Sequence, residues 1–242
     1  MAKTVYVGMS GGVDSSVAAM LLVKQGYKVV GVYMKNWSRD LPGMKCPWAE
    51  DLADAKRVAV KLGIDFEVWD FEKEYREKVV EYMLSEFRAG NTPNPDVMCN
   101  QEIKFKLFYE KARGAGADFI ATGHYARTRV ADNVFLGNIS RFSSPETYIP
   151  DAAEKAARRA DFPGSPAYDV EGEKVRSRKG MSDRTRVLLR AIDENKDQTY
   201  FLYRISEEAL AHTLFPIGGM LKPEVKKLAA ENGLHNAYKK ES

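Results

Sequence analysis

The residues best placed to do chemistry lie near the start of the chain, in Ser10-Gly11-Gly12-Val13-Asp14-Ser15-Ser16. An apolar β-type run, Thr4-Val5-Tyr6-Val7-Gly8-Met9, precedes them, and a helix-type run, Val17 to Val23, follows. Strand, glycine-rich loop and helix, in that order, aim backbone N–H groups and a helix N-terminus at an anion. Adjacent glycines let the backbone turn tightly and approach a phosphate closely. Ser10, Ser15 and Ser16 add hydroxyl donors, and Asp14 adds a carboxylate suited to Mg²⁺. The loop lacks the Gly-Lys-Ser/Thr ending of a Walker loop, and it has no third glycine at the dinucleotide-fold spacing.

The second chemical feature is Cys99, in Asn94-Pro95-Asp96-Val97-Met98-Cys99-Asn100. A cysteine in a proline-rich loop at the start of a helix is placed to react. The helix N-terminus stabilises a thiolate, and Lys104 and Lys106 add nearby positive charge. The plainer alternative is a buried cysteine acting as a small hydrophobe. Cys46, in Pro42-Gly43-Met44-Lys45-Cys46-Pro47-Trp48, reads as structural. These two thiols cannot complete a four-cysteine iron–sulfur or zinc site within one chain. His124 has no Cys or His partner at metal spacing.

Strand-like and helical runs alternate around these residues. Lys28 to Met34 reads as a second strand, Trp48 to Leu62 as a helix, and Ile64 to Trp69 as a third strand. Glu72 to Ala89 reads as a helix stopped by Gly90-Asn91. Asn91 to Cys99 reads as a loop because of its prolines, and Gln101 to Arg113 returns to helix. Asp118 to Thr122 is a fourth strand, ending in Gly123-His124-Tyr125. The expected fold is therefore α/β, a parallel sheet with helices on both faces. Ligands on such sheets bind at the carboxyl ends of the strands. That edge would gather the glycine-rich loop, Met34, Gly123 and His124.

The pattern breaks after residue 130. Residues 131–185 contain Pro145, Pro150, Pro163 and Pro166 and one alanine-rich piece, and read as a mobile, partly helical insertion. Its far end is basic, with Lys174, Arg176, Arg178, Lys179 and Arg184 leading to Arg186 and Arg190. Such a run either tracks phosphates or is a solvated loop. Order resumes at Arg186 to Arg190, followed by Asn195 to Tyr203 and helical pieces over Glu207 to Thr213 and Pro223 to Asn232. The organisation is thus a nucleotide-binding domain over 1–130, the insertion, and a closing segment over 186–242.

Composition bounds the class. The 242 residues suffice for one large α/β domain, and 44% hydrophobic content can fill its core. A net charge of +3 permits a nucleic-acid partner without demanding one. The N-terminus reads as a strand rather than a signal peptide, and no apolar run approaches the roughly 18 residues of a membrane span. The reading is a cytoplasmic protein with reduced thiols and no membrane partner.

Four segments together resemble the tRNA-specific 2-thiouridylases, the MnmA family. They are Gly8 to Ser15, the stretch Gly90-Asn91-Thr92-Pro93-Asn94-Pro95-Asp96 through Cys99-Asn100 to Ile103-Lys104-Phe105, then Ala121-Thr122-Gly123-His124-Tyr125, and Asn195-Lys196-Asp197-Gln198 with Tyr200-Phe201-Leu202. The SGGxDS loop alone is shared with other enzymes that cleave ATP to AMP and pyrophosphate. The Thr92 to Phe105 segment is far more specific.

The resemblance implies an adenine nucleotide alpha-hydrolase-like, Rossmann-like fold and ATP-dependent 2-thiolation of a tRNA wobble uridine. The base would be adenylated, and a persulfide sulfur would then displace AMP. Gly8, Met9, Ser10, Gly11, Gly12, Val13, Asp14 and Ser15 would bind ATP, with Mg²⁺ at Asp14, and Met34 and Gly123 would contact the adenine nucleotide. Asn94, Pro95 and Asp96 would touch the target base, Asp96 as an acid/base group. Cys99 would be the nucleophilic thiol, and Lys196, Asp197 and Gln198 would contact tRNA. A sulfur-relay protein would supply the persulfide.

In the family, a Gly-Ile-Cys-Phe-like segment follows soon after the position of Ala237-Tyr238 and carries the persulfide cysteine, with further domains beyond. This chain ends at Ser242 without it. The resemblance therefore leaves open the catalytic domain of a thiouridylase, whole or cut, an ATP- and tRNA-binding module that cannot finish sulfur transfer, and a pyrophosphate-loop ligase acting on another substrate. The Thr92 to Asn100 segment argues against the last.

Overall fold

A computed structural model of the chain describes residues 2–40, 46–130 and 186–239. In chain order the elements are β1 (Thr4–Gly8), α1 (Val13–Lys24), β2 (Lys28–Lys35), α2 (Trp48–Leu62), β3 (Asp65–Asp70), α3 (Glu72–Tyr75), α4 (Glu81–Arg88), α5 (Pro95–Met98), α6 (Phe108–Gly114) and β4 (Phe119–Ala121). Then follow β5 (Ala126–Val130), β6 (Arg186–Arg190), α7 (Glu207–Ala211), β7 (Thr213–Leu214) and α8 (Lys222–Glu231). Two π-helical segments, Arg76–Val80 and Cys99–Leu107, join α3 to α4 and α5 to α6. The expected insertion, its alanine-rich piece and most of its basic run lie outside the described residues.

The main sheet runs β3-β2-β1-β4-β7, and every neighbouring pair is parallel. Parallel strands are covered on both faces, which is why β1 and β2 read as nearly continuous apolar runs. Side chains alternate across the sheet. Val5 and Val7 face one core, with Val17, Ala18 and Leu22 of α1, Ala55 and Val58 of α2, and Val225 and Ala229 of α8. Tyr6, Val30, Val32 and Ile120 face the other, with Ile103, Phe105, Phe108 and Leu210. Helix α1 is wedged between the sheet and two other helices, so most of its residues are buried and it has almost no polar face.

Two local expectations change, and one further element was not foreseen. The proline-rich stretch Asn91 to Cys99 is not all loop: Pro95 opens α5, and Asn94 caps it, its Oδ1 accepting from the Val97 N–H at 3.2 Å. Proline suits the first turn because its missing N–H would have no helical partner there. The helix expected over Glu207 to Thr213 ends at Ala211, because Thr213 and Leu214 pair with Ile120 and Ala121 as an edge strand. Finally, Ala126 to Val130 forms a two-stranded antiparallel ribbon with Arg186 to Arg190.

Candidate functional site

The strand order reverses between β1 and β4, leaving a crevice at their carboxyl ends. The loop after β1 and the turn after β4 border it. The cleft there has a volume of about 530 Å³, and Gly8, Met9, Ser10, Gly12, Val13, Asp14, Ser15, Met34 and Gly123 line it. Gly11, the remaining member of the expected loop, stands behind this wall. It adopts φ +80°, and a side chain there would run into the Asp51 carbonyl. Gly123 has a different reason. A Cβ would lie 2.6 Å from the Ser15 nitrogen, so only glycine lets the end of β4 close against the first turn of α1.

The loop hydroxyls turn largely onto their own backbone. Ser15 Oγ donates to the Gly12 carbonyl at 3.2 Å and accepts from the Ser10 N–H at 3.2 Å. Ser16 is buried and donates to the same carbonyl at 2.8 Å, so it is a brace rather than the cleft-facing donor expected from sequence. What remains for an anion is the N-terminal end of α1 and its backbone N–H groups.

Asp14 does not have the surroundings of a metal ligand. The Nζ of Lys222 lies 2.7 Å from both of its oxygens, and Tyr125 donates to Oδ1 at 3.0 Å. Among the described residues no three His, Cys, Asp or Glu side chains gather around a point that could hold a metal ion. In this structure the carboxylate expected to hold Mg²⁺ is instead paired with an ammonium.

Lys196, Asp197 and Gln198 also line the cleft. Asp197 is fastened on both oxygens, accepting from the Ala191 N–H at 2.8 Å and from Thr199 Oγ1 at 2.7 Å. Gln198 clasps the turn after β4, its Oε1 accepting from the Tyr125 N–H while its own N–H donates to the Tyr125 carbonyl. His124 is buried, with Nδ1 2.8 Å from Thr122 Oγ1 and its ring between Phe105 and Phe215. Burial, aided by the Lys104 charge, pushes its pKa well below the usual histidine value, so the imidazole is neutral near pH 7.

Asn94, Pro95, Asp96 and Cys99 do not line this cleft. They stand together on α5 and the start of Cys99–Leu107, the same stretch of helix that contributes Lys104 to the cleft wall. The sequence argument for a readily ionised Cys99 is corrected here. The helix starts at Pro95, so Cys99 has passed the first turn, where the dipole effect falls off. Burial pushes its thiol up, Lys104 pulls it down, and Asp96 pushes it up, leaving it above the usual cysteine value. Lys106 does not help, because it pairs with Glu102 at 3.2 Å. Cys46, the other thiol, has its Sγ 3.7 Å from the Trp37 carbonyl.

Comparison with known proteins fits this geometry. A family profile described as the tRNA methyl transferase HUP domain matches residues 3–147 and 168–242. The chain belongs to that family. Tested against individual proteins, this HUP domain is 43% identical over 238 residues to a tRNA-specific 2-thiouridylase MnmA of Bordetella parapertussis, covering 98% of this chain and 52% of the relative. It is 44% identical to the protein of the same description from Proteus mirabilis, over 99% of this chain and 52% of the relative. The chain thus spans about half the length of the curated relatives it matches. Among solved structures, an NMN synthetase from Francisella tularensis overlaps in part, with TM-score 0.34 and 20% identity over 49% of this chain and 44% of that one.

The HUP domain also brings residues to its site that sequence reading passed over. Asn236 Nδ2 donates to the Gly11 carbonyl and to Ser16 Oγ, both at 2.9 Å, so a residue near the end of the described chain braces the glycine-rich loop. Lys239 lies 2.8 Å from Asp51 and 2.6 Å from Asp54, and His235 meets Asp54 at 3.0 Å. Tyr125, Lys222, Lys239, Asn36 and Lys104 all line the cleft. The sequence signal for Lys222 was its place just before Pro223 at a helix start. Asn236 and Lys239 carried none.

Proposed function

We propose that the chain is the nucleotide-activating part of an ATP-dependent tRNA 2-thiouridylase. The observation that carries this reading is the cleft at the strand-order reversal, walled by the Gly8–Ser15 loop and the start of α1, beside the helix that bears Cys99. Similarity to the 2-thiouridylases supports the choice of substrate.

In this reading ATP lies in the cleft, its phosphates at the N-terminal end of α1 and its adenosine between Met34 and Gly123. Backbone N–H groups already oriented by the loop stabilise the charge that grows on pyrophosphate as it leaves. A wobble uridine, splayed out of its stack, enters beside Asn94, Pro95 and Asp96. Its C2 oxygen attacks the α-phosphorus and expels pyrophosphate, while Asp96 receives the N3 proton. A carbonyl oxygen is a poor leaving group, and AMP is a good one. The terminal sulfur of a persulfide then attacks C2, and AMP departs. Cys99, as thiolate, attacks the inner persulfide sulfur and forms a disulfide with the donor's sulfur, and Asp96 returns the proton to N3, leaving the C2 thiocarbonyl. In this reading Lys196, Asp197 and Gln198 contact the tRNA, and a cytoplasmic relay protein supplies the persulfide.

The test combines the purified chain, a tRNA with a wobble uridine, Mg-ATP and sulfide as a substitute sulfur source. AMP release and 2-thiouridine are followed together, the latter by nucleoside mass spectrometry. Thiolated product supports activation of the base in this chain and its capture by sulfur, with the persulfide relay supplied from outside. AMP that depends on tRNA, without thiolation, restricts the chain to base activation. Neither product, with tRNA and ATP both bound, reduces it to a binding module.

A further inference from the structure

Lys104 belongs to two places at once. It lines the nucleotide cleft, and it grows from the π-helical segment Cys99–Leu107 that begins with the thiol. The spacing matters. On an α-helix, side chains five residues apart are rotated by about 140° from one another. A π turn closes between residues five apart, which returns Lys104 toward the flank that carries Cys99.

Neighbouring cations are engaged elsewhere. Lys106 and Lys78 both meet Glu102 at 3.2 Å. Lys104 has no carboxylate at ion-pair distance among the described residues, and its charge reaches both Cys99 and the buried His124. The other groups facing the thiol cannot do this work. Asp96 opposes ionisation. Tyr75 has its phenol pushed up to about 12, by burial first and then by Cys99 and Asp96, so it stays neutral. Arg204 is turned to Met98 Sδ at 3.7 Å.

We propose that Lys104 is a cation shared between the nucleotide cleft and Cys99, easing ionisation of the thiol when the cleft is empty and turning to the α-phosphate oxygens when adenine nucleotide is bound. The second half rests on the reading of the cleft as an ATP site. It has a chemical use. Cys99 must act only after AMP has left, so a thiol that is harder to ionise while nucleotide is present than after its release keeps the steps in order.

The test is the pH dependence of Cys99 alkylation by iodoacetamide in the whole chain, resolved by peptide mass spectrometry so that Cys46 serves as an internal reference. Lys104→Met is expected to raise the Cys99 midpoint by about one pH unit, slowing alkylation roughly tenfold below the midpoint. Lys104→Arg should stay near wild type, and Cys46 should not move. AMP or ATP should raise the wild-type midpoint and leave that of Lys104→Met unchanged. An unshifted Lys104→Met midpoint would overturn the proposal, as would equal nucleotide protection in both proteins, which is what simple steric cover produces. Should Lys104→Met melt early, Lys104→Gln carries the same expectations. Calorimetry on the wild type separates the two readings. Failure to bind ATP or AMP would overturn the nucleotide site and the shared role with it, while the shift without nucleotide still judges the hold of Lys104 on the thiol.

Discussion

Replacing Lys222 by methionine tests the internal wiring of the site most directly. The ammonium makes two 2.7 Å contacts to Asp14, and the lysine side chain is 9% exposed against 30% for Asp14. Methionine keeps most of the aliphatic stem packed, so the change removes chiefly the charge. Removing one partner of a buried pair costs about 3–5 kcal/mol because the other charge is stranded. Water reaches part of Asp14, and solvent screening lowers that figure to about 2 kcal/mol. In a domain of this size that is a fall of roughly 4–8 °C in thermal midpoint. Asp14→Asn removes the stranded charge while leaving an oxygen for Tyr125. The double variant should therefore recover at least about 1 kcal/mol relative to the sum of the singles. Thermal melts of the four proteins, followed by circular dichroism, measure the cycle. Additive losses, or a Lys222→Met midpoint within about 1 °C of wild type, would refute the claim that these two charges hold each other.

Gly123→Ala should destabilise the domain by about 1–3 kcal/mol, because the atoms its Cβ meets are Asp14 and Ser15 backbone. Calorimetry should also show weaker ATP binding as β4 is pushed from α1. Cys99→Ser should bind ATP as wild type does in the same titration and, with a persulfide-bearing protein as sulfur donor, yield no 2-thiouridine; retained thiolation from that donor would remove Cys99 from the mechanism. The Lys239 cluster should make stability pH-dependent. For Asp54, burial raises the pKa, but hydrogen bonds from Lys239 and His235 outweigh it, and the net shift is downward. Its contribution is present above the ordinary carboxylate value and vanishes as pH falls through the lowered one. For Lys239, burial lowers the pKa, Asp51 and Asp54 raise it more, and its contribution is lost only as pH rises through the raised value. Lys239→Met should therefore lose less thermal stability than wild type between about pH 6 and about pH 3, and equal losses would show that the cluster contributes nothing there.

The legible parts of this protein were those written in short range. The run Thr4 to Met9, two glycines and a helix start declare a strand, an anion loop and a helix without help from the rest of the chain. Alternating strands and helices imply the parallel sheet. The misread stretch, Asn94 to Cys99, held a local signal too, since Asn followed by Pro is a helix cap with its first residue. Its prolines suggested a loop, and the chemistry inferred for Cys99 shifted with that error, because a thiol beyond the first turn gains little from the helix dipole.

What the sequence by itself determined, then, is the sheet, the position of the cleft at its carboxyl edge, and the residues of its glycine-rich wall. Local backbone preference and side-chain period decide those. What only the tertiary structure decided is the charge and bracing of that wall. Lys222 reaches Asp14 across 208 residues, Asn236 reaches Ser16 across 220, and Lys239 reaches Asp51 across 188. No pattern of spacing records such contacts. They exist because α8 and the segment after it pack against α1, and a polar group brought to a buried interface must find its partner there. That packing turned Asp14 from an expected metal ligand into half of an ion pair.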